Sequence, residues 1–305
     1  MTDVADAPAV PADPPFEDMA WVPGGTFRMG SDDHYPEEAP AHDATVAGFW
    51  MDRHAVTNTR FARFVRATNY VTLAERKPDP TLYPGAPRER LVPGSSVFVA
   101  PRQRVDLRDP YQWWQWVPGA TWKHPQGPGT STKRIPDHPV VHIAYEDAIA
   151  YAEWAGKALP TEAEWERAAR GGLEGAAYAW GDDFTPGGRH MANTWQGEFP
   201  VANLETDGYS GTAPVGAFPP NGYDLYEMTG NVWEWTADLY RDHAEPAAAC
   251  CSASQSPDGI PRRVMKGGSH LCAANYCQRY RPAARMAQPI DTSTSHLGIR
   301  CIVRA

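Results

Sequence analysis

The sequence predicts an α+β fold: a single irregular domain with little regular secondary structure. Three observations carry that prediction. First, 30 prolines and 26 glycines in 305 residues interrupt regular elements throughout the chain. Second, 12 tryptophans supply large apolar surfaces on which loops can pack. Third, long strands and helices do not alternate, which argues against a doubly wound parallel sheet. Irregular buried backbone needs partners for its polar groups, so side-chain hydrogen bonds, aromatic packing or bound cations must hold the loops.

Taken in order, residues 1–18 are expected to be a disordered tail and 19–305 a folded domain. The segment from Met1 to Pro15 mixes Ala, Pro and Asp, with no basic start and no apolar run of signal-peptide length. Met19 to Met29 reads as two short strands around Pro23-Gly24-Gly25, with a third strand over Ala44 to Met51. A helix follows from Asn58 to Ala67, with Phe61, Phe64 and Val65 on one face and Thr57 as cap. Between Lys77 and Pro136 little periodicity is visible, although Trp113, Trp114, Trp116 and Trp122 fall there. Ala148, Tyr151, Ala152 and Ala155 mark a helix closing at Gly156. A second helix opens on the capping box Thr161-Glu162-Ala163-Glu164 and stops at Gly171-Gly172.

A net charge of -9 argues against a nucleic-acid partner, and no stretch has the roughly 20 apolar residues of a membrane helix. Five cysteines are too few for a disulfide scaffold in a chain of this length and suit a cytoplasmic, reducing location. Cys250 and Cys251 fall in an Ala- and Ser-rich loop. Cys301 lies in an apolar run that reads as core.

The chemistry-bearing candidates are Cys272 and Cys277, preceded by Gly267-Gly268-Ser269. Residues five apart face differently on a helix and oppositely on a strand, so the two sulfurs meet one partner only if the chain turns between them. A converging pair suits a soft ion such as Cu(I), or a short-loop disulfide; two unrelated buried thiols are the plain alternative. Glu227 and Glu234, with the turn at Gly230-Asn231-Val232, could hold a hard cation such as Ca²⁺, and Asn193, Thr194, Asp207 and Tyr209 could gather oxygen ligands. A turn and a core strand explain the same residues without metal. His138 and His142 flank Pro139-Val140-Val141, an extended segment that points the rings apart, so they read as structural. Phosphate-loop spacing and a Gly-x-Ser-x-Gly elbow are both missing.

Four stretches together, Val22-Pro23-Gly24-Gly25-Thr26-Phe27-Arg28-Met29-Gly30, Leu159-Pro160-Thr161-Glu162-Ala163-Glu164-Trp165-Glu166, Gly230-Asn231-Val232-Trp233-Glu234-Trp235 and Gly298-Ile299-Arg300-Cys301, resemble the sulfatase-modifying-factor superfamily across nearly everything after residue 18. Ala192 to Pro200, Ala217 to Tyr223, and the set Ser269, Cys272, Tyr276, Cys277 and Arg279 are more selective. They are similar to the branch that makes Cα-formylglycine. The resemblance implies a C-type-lectin-like scaffold and a copper-dependent oxidase. That oxidase would use O₂ and an external thiol reductant to convert the cysteine of Cys-X-Pro-X-Arg in an unfolded or nascent sulfatase polypeptide.

On that resemblance Cys272 and Cys277 would hold Cu(I) in a nearly linear site, with the substrate cysteine as third thiolate. Ser269, Tyr276 and Trp233 would line the pocket. Structural Ca²⁺ would sit on Asn193, Thr194, Asp207 and Tyr209, and a second on Glu227, Gly230, Val232 and Glu234, with Glu227 replacing a family amide. Cysteines that form disulfides in secreted vertebrate relatives stand here as Ala152 and Ala169. The family's acidic receiver of the substrate arginine is replaced by serine within Gly94-Ser95-Ser96-Val97-Phe98. Two alternatives differ in class. One is a sulfoxide-synthase-type iron enzyme, which carries an additional helical domain for which no room is expected before residue 19. The other is a non-catalytic binding module, which would have no reason to keep the thiol pair with Ser269 and Tyr276.

Overall fold

The computed structural model describes residues 13–88, 91–244 and 259–305. Strand β1 (Met19–Val22) pairs antiparallel with β4 (Phe49–Asp52), and the other edge of β4 takes β11 (Ile302–Arg304), so the two ends of the folded chain share one small sheet. Strand β2 (Gly25–Met29) pairs antiparallel with β3 (His42–Val46). The single strand expected over Ala44 to Met51 is therefore two strands. They break at Gly48, where a Cβ would lie 2.3 Å from the Trp21 ring, so only glycine lets the backbone turn against that indole.

Helix α1 (Asn58–Thr68) starts on Thr57, whose hydroxyl accepts the Arg60 amide at 3.3 Å, and ends on Asn69 in the left-handed region. Helices α2 (Tyr145–Trp154) and α3 (Glu162–Arg170) follow the expected positions. The Thr161–Glu164 capping box is formed, and Gly171 ends α3 with φ of 57°. The tryptophan-rich span holds a hairpin that periodicity did not reveal: β5 (Gly94–Phe98) against β6 (Trp114–Pro118). The outer strand alternates no apolar and polar faces, and the two strands are joined by a long excursion.

The largest sheet has the order β10-β7-β8-β9, built from β7 (Trp233–Leu239), β8 (Arg262–Lys266), β9 (Arg285–Pro289) and β10 (Leu297–Gly298). Its β10–β7 pair is parallel and the others are antiparallel. One core cluster joins Phe61, Phe64 and Tyr151 of α1 and α2 to Trp233 and Trp235 of β7, and includes Cys272, Cys277 and Cys301. A second surrounds Trp165 of α3 with Val22, Phe49 and Met51. Ala152 and Ala169 are buried in these two clusters.

Paired charges dock helix α3, the strands and nearby loops on one another. Arg281 bonds Glu38, Arg285 bonds Glu162, Lys266 bonds Glu166 at 2.9 Å, and Arg300 bonds Glu234 at 3.0 Å, all buried. Each supplies hydrogen-bonded partners in a place where an isolated charge would be costly. Asp18, assigned above to the tail, accepts from Arg60 at 2.6 Å, and Lys157 lies over the Phe16 ring at 5.0 Å, so the end of that segment packs on the body.

Candidate active site

The site begins with two glycines that no other residue could replace without moving the backbone. Gly267 (φ 95°) and Gly268 (φ 71°) follow β8, and a Cβ at Gly268 would sit 2.7 Å from the Arg279 carbonyl. The chain then folds into two turns, with the Cys272 amide donating to Ser269 O at 2.9 Å and the Cys277 amide to Ala273 O at 2.8 Å. These turns satisfy the geometric condition set by the spacing. The two sulfurs lie 3.2 Å apart, and both cysteines are free and buried. That separation exceeds the roughly 2.05 Å of a disulfide, so the pair is two thiol groups in contact.

The pair is electrostatically unequal. The hydrogen bond from Cys272, followed by the charge and hydrogen bonds of Arg279, lowers Cys277 to about 6, whereas burial and the neighbouring sulfur raise Cys272. Negative charge is therefore favoured on Cys277 over Cys272. Arg279 Nη1 lies 3.8 Å from Cys277 Sγ. Its guanidinium also pairs with Glu37 and stacks on Tyr35 at 4.0 Å.

A cleft of about 280 Å³ opens onto the sulfurs, and all five expected catalytic residues, Cys272, Cys277, Ser269, Tyr276 and Trp233, line it. The Ser269 amide points at Cys272 Sγ at 3.4 Å. Tyr276 stacks on Phe199 at 4.6 Å and meets Trp113 edge-on at 5.4 Å. Burial, then the two cysteines, push its phenol up to about 12, so it is a neutral hydrogen-bond donor. Trp113 and Trp114, from the tryptophan-rich span, form part of the cleft's aromatic rim, whereas Tyr111 and the ring of His296 were not anticipated from the sequence. His296 stands two residues before the Gly298-Ile299-Arg300-Cys301 stretch, which was the one local signal available.

Ser96 lines the cleft, whereas Ser95 is buried behind it, its hydroxyl donating to Ser293 O at 2.7 Å and meeting His142 Nδ1 at 2.6 Å. His138 instead meets Thr212 Oγ1 at 3.0 Å, so the two histidines do diverge. His142 is held down to about 4 by burial, although its bond to Pro125 O opposes that. Cys301 is fully buried in the core, and Cys250 and Cys251 lie outside the described residues.

In the first oxygen set Asp207 links two of the other members, and Gln196 Nε2 bonds the Thr194 carbonyl. Asp207 accepts from the amides of Thr194 at 3.3 Å and Tyr209 at 3.0 Å, and Gln196 Nε2 bonds Asp207 Oδ2 at 2.8 Å. Asn193 donates its amide to Gly211 O at 2.8 Å, while its buried Oδ1 has no hydrogen-bond partner. A carboxylate loop next to an unpartnered buried amide oxygen fits a hard cation.

The second set is arranged differently from the expectation. Glu227 accepts the Gly216 and Phe218 amides at 3.0 and 3.1 Å, and Glu234 accepts from Trp165 Nε1 at 2.7 Å and from Arg300. Arg300 Nη2 also donates to the Tyr226 carbonyl at 2.7 Å. A guanidinium on this carboxylate already neutralises it and repels a second cation, so the Glu227, Gly230, Val232 and Glu234 set does not fit Ca²⁺ as arranged. Among the described residues no cluster of three or more His, Cys, Asp or Glu side chains suited to a metal is present, and no helix is long and apolar enough to cross a membrane.

Residues 5–305 match the family described as sulfatase-modifying factor enzyme 1-like domain. The chain is 55% identical to the formylglycine-generating enzyme of Mycobacterium tuberculosis (strain ATCC 25618 / H37Rv) over 287 residues, covering 92% of this chain and 96% of that protein. It is 40% identical to the inactive C-alpha-formylglycine-generating enzyme 2 of Mus musculus, over 93% of this chain and 84% of that one. Among solved structures, PvdO from Pseudomonas aeruginosa is similar with a TM-score of 0.60 and 25% identity, over 94% of both chains.

Proposed function

We propose, from the premise that this chain belongs to the sulfatase-modifying factor family, that it is a copper-dependent oxidase converting the cysteine of a Cys-X-Pro-X-Arg segment in a sulfatase polypeptide to Cα-formylglycine. The single observation that carries the reading is the pair of free thiols, 3.2 Å apart, at the floor of an open cleft. A binding module has no use for such a pair. An iron enzyme of the sulfoxide-synthase type needs several histidine ligands, and His296 is the cleft's one imidazole among the described residues.

The donor set fits Cu(I), because soft thiolates select soft d¹⁰ ions. When bound, Cu(I) supplies a redox-active centre for the substrate thiol and O₂. Cys277, beside Arg279, and Cys272 would be its ligands, each as the thiolate. Around them aromatic side chains line the cleft, Tyr276 presents its phenol to it, and Ser269 presents its backbone amide to Cys272 Sγ. The balance is complete with an external reductant: the substrate CH₂–SH becomes CHO with loss of H₂S, O₂ contributes overall one carbonyl oxygen and one water, and two thiol groups of the reductant supply two electrons and two protons as they close to a disulfide.

Calcium at Asn193, Thr194, Asp207 and Tyr209 belongs to the same proposal as a loop staple. A cytoplasmic location belongs to the same proposal, supported by the few cysteines in a chain of this length. The test is incubation with Cu(I), air, a thiol reductant and a Cys-Thr-Pro-Ser-Arg peptide, reading aldehyde by mass spectrometry. Formation of aldehyde is expected, and its absence with folded, copper-loaded protein rejects the oxidase.

A further inference from the structure

We infer that His296 is a positioning residue of this site, its ring accepting the proton of the Ser269 hydroxyl and so fixing that serine beside the thiol pair. His296 Nδ1 lies 3.0 Å from Ser269 Oγ. The Leu271 amide donates to the same oxygen at 3.2 Å, which leaves the serine's own proton for the imidazole. The Ser269 amide in turn points at Cys272 Sγ at 3.4 Å, so the orientation of this one residue is felt at the sulfur.

The ring is itself held. It meets the Trp114 ring in an edge-to-face arrangement with centroids 4.7 Å apart and an interplanar angle of 64°, and its backbone carbonyl accepts the Trp233 amide at 2.9 Å. Ser269, Trp114, Trp233 and His296 all line the cleft. Burial, and then the neighbouring His270 and His142, hold His296 well below the ordinary histidine range, so a neutral ring with one acceptor nitrogen is the form present. The kinetic consequence rests on the oxidase reading; the hydrogen bond does not.

The bond is tested on the full chain by ¹⁵N NMR of labelled histidine. The expected state is the neutral tautomer with the proton on Nε2, and Ser269→Ala should move the Nδ1 resonance. A protonated Nδ1, or a resonance unmoved by Ser269→Ala, overturns the inference. Kinetics supply the second arm. His296→Phe keeps a ring against Trp114 but has no acceptor, whereas His296→Asn keeps an oxygen near the place of Nδ1. We expect His296→Phe to lower kcat about tenfold or more, with the peptide KM and the Cu(I) affinity within about twofold of wild type. His296→Asn should recover most of the loss. Wild-type kcat in His296→Phe, a raised KM at unchanged kcat, or an Asn variant as slow as the Phe one contradicts the assignment. Should wild-type protein make no aldehyde, the oxidase reading fails, while the NMR arm still decides the Ser269–His296 bond.

Discussion

Cys272 and Cys277 differ from an ordinary buried pair because Arg279, itself fixed by Glu37 and Tyr35, contacts Cys277 Sγ directly and its charge acts on both sulfurs. Substituting either cysteine by serine keeps the volume nearly constant but removes a soft donor. Cys272→Ser and Cys277→Ser should each lose at least about a hundredfold in turnover and in Cu(I) affinity, since even outer partners of metal ligands cost 10–100-fold. Cu(I) competition titration and aldehyde formation check both losses. At this scale the sequence was most legible where the site is local. Ser269, Cys272, Tyr276 and Cys277 fall within nine residues, and their motif placed them correctly in one cleft. His296 and Trp114 reach the same cleft from far along the chain, and no spacing rule connects them. Glu234 shows the same limit: its partner Arg300 lies 66 residues away, beyond any local pattern.

Among the elements, α3 does the most to place the site. Its three glutamates reach separate strands: Glu162 to Arg285 of β9, Glu166 to Lys266 of β8, and Glu164 to Arg304 of β11. Glu166 is fully buried between Lys266 and Arg170, so Glu166→Gln should destabilise the fold by about 3–5 kcal/mol by leaving buried cations unpaired. Arg304 is 47% exposed, and Glu164→Gln should lose about 1 kcal/mol or less from that pair, plus part of the cap. Urea unfolding separates the two.

Glu162 adds a pH dependence. Burial alone would raise its pKa, but His243, Lys266 and Arg285 hold it at about 2, below the usual 4.5. A depressed carboxylate stabilises the fold above its unfolded pKa and loses that contribution as pH falls from about 4.5 towards 2, here of order 3 kcal/mol. Glu162→Gln should therefore show a shallower loss of stability over that window than wild type; equal slopes would contradict the linkage. Capping and periodicity made α1, α2 and α3 readable from sequence. The ion pairs that dock them were not, because each joins residues that carry no local signature.

Across the whole molecule, the composition announced that loops would need partners, and the structure supplies them chiefly as buried ion pairs and stacked aromatics. The β5–β6 hairpin escaped detection because its stability comes from tertiary packing, with Phe98 against Trp195 and Phe199, and not from strand alternation. The proposed calcium at Asn193, Thr194, Asp207 and Tyr209 would be a further loop support. Exhaustive chelation should lower the melting temperature by about 5 °C, the scale of a ligand present at 100 times its Kd in a chain of this size. Asp207→Ala should melt at the chelated value with or without calcium, whereas Glu227→Ala should still respond to chelation. An unchanged melting temperature in wild type would count against the Asn193–Asp207 site.

The central claim is that two contacting thiols in an aromatic cleft form an oxidase site. It is tested most directly by mass spectrometry of the Cys-Thr-Pro-Ser-Arg peptide after incubation with copper-loaded protein, air and a thiol reductant, with Cys272→Ser run in parallel. Conversion of the peptide thiol to aldehyde by wild type and not by the variant is predicted. An unmodified peptide, or equal conversion by both proteins, would contradict it.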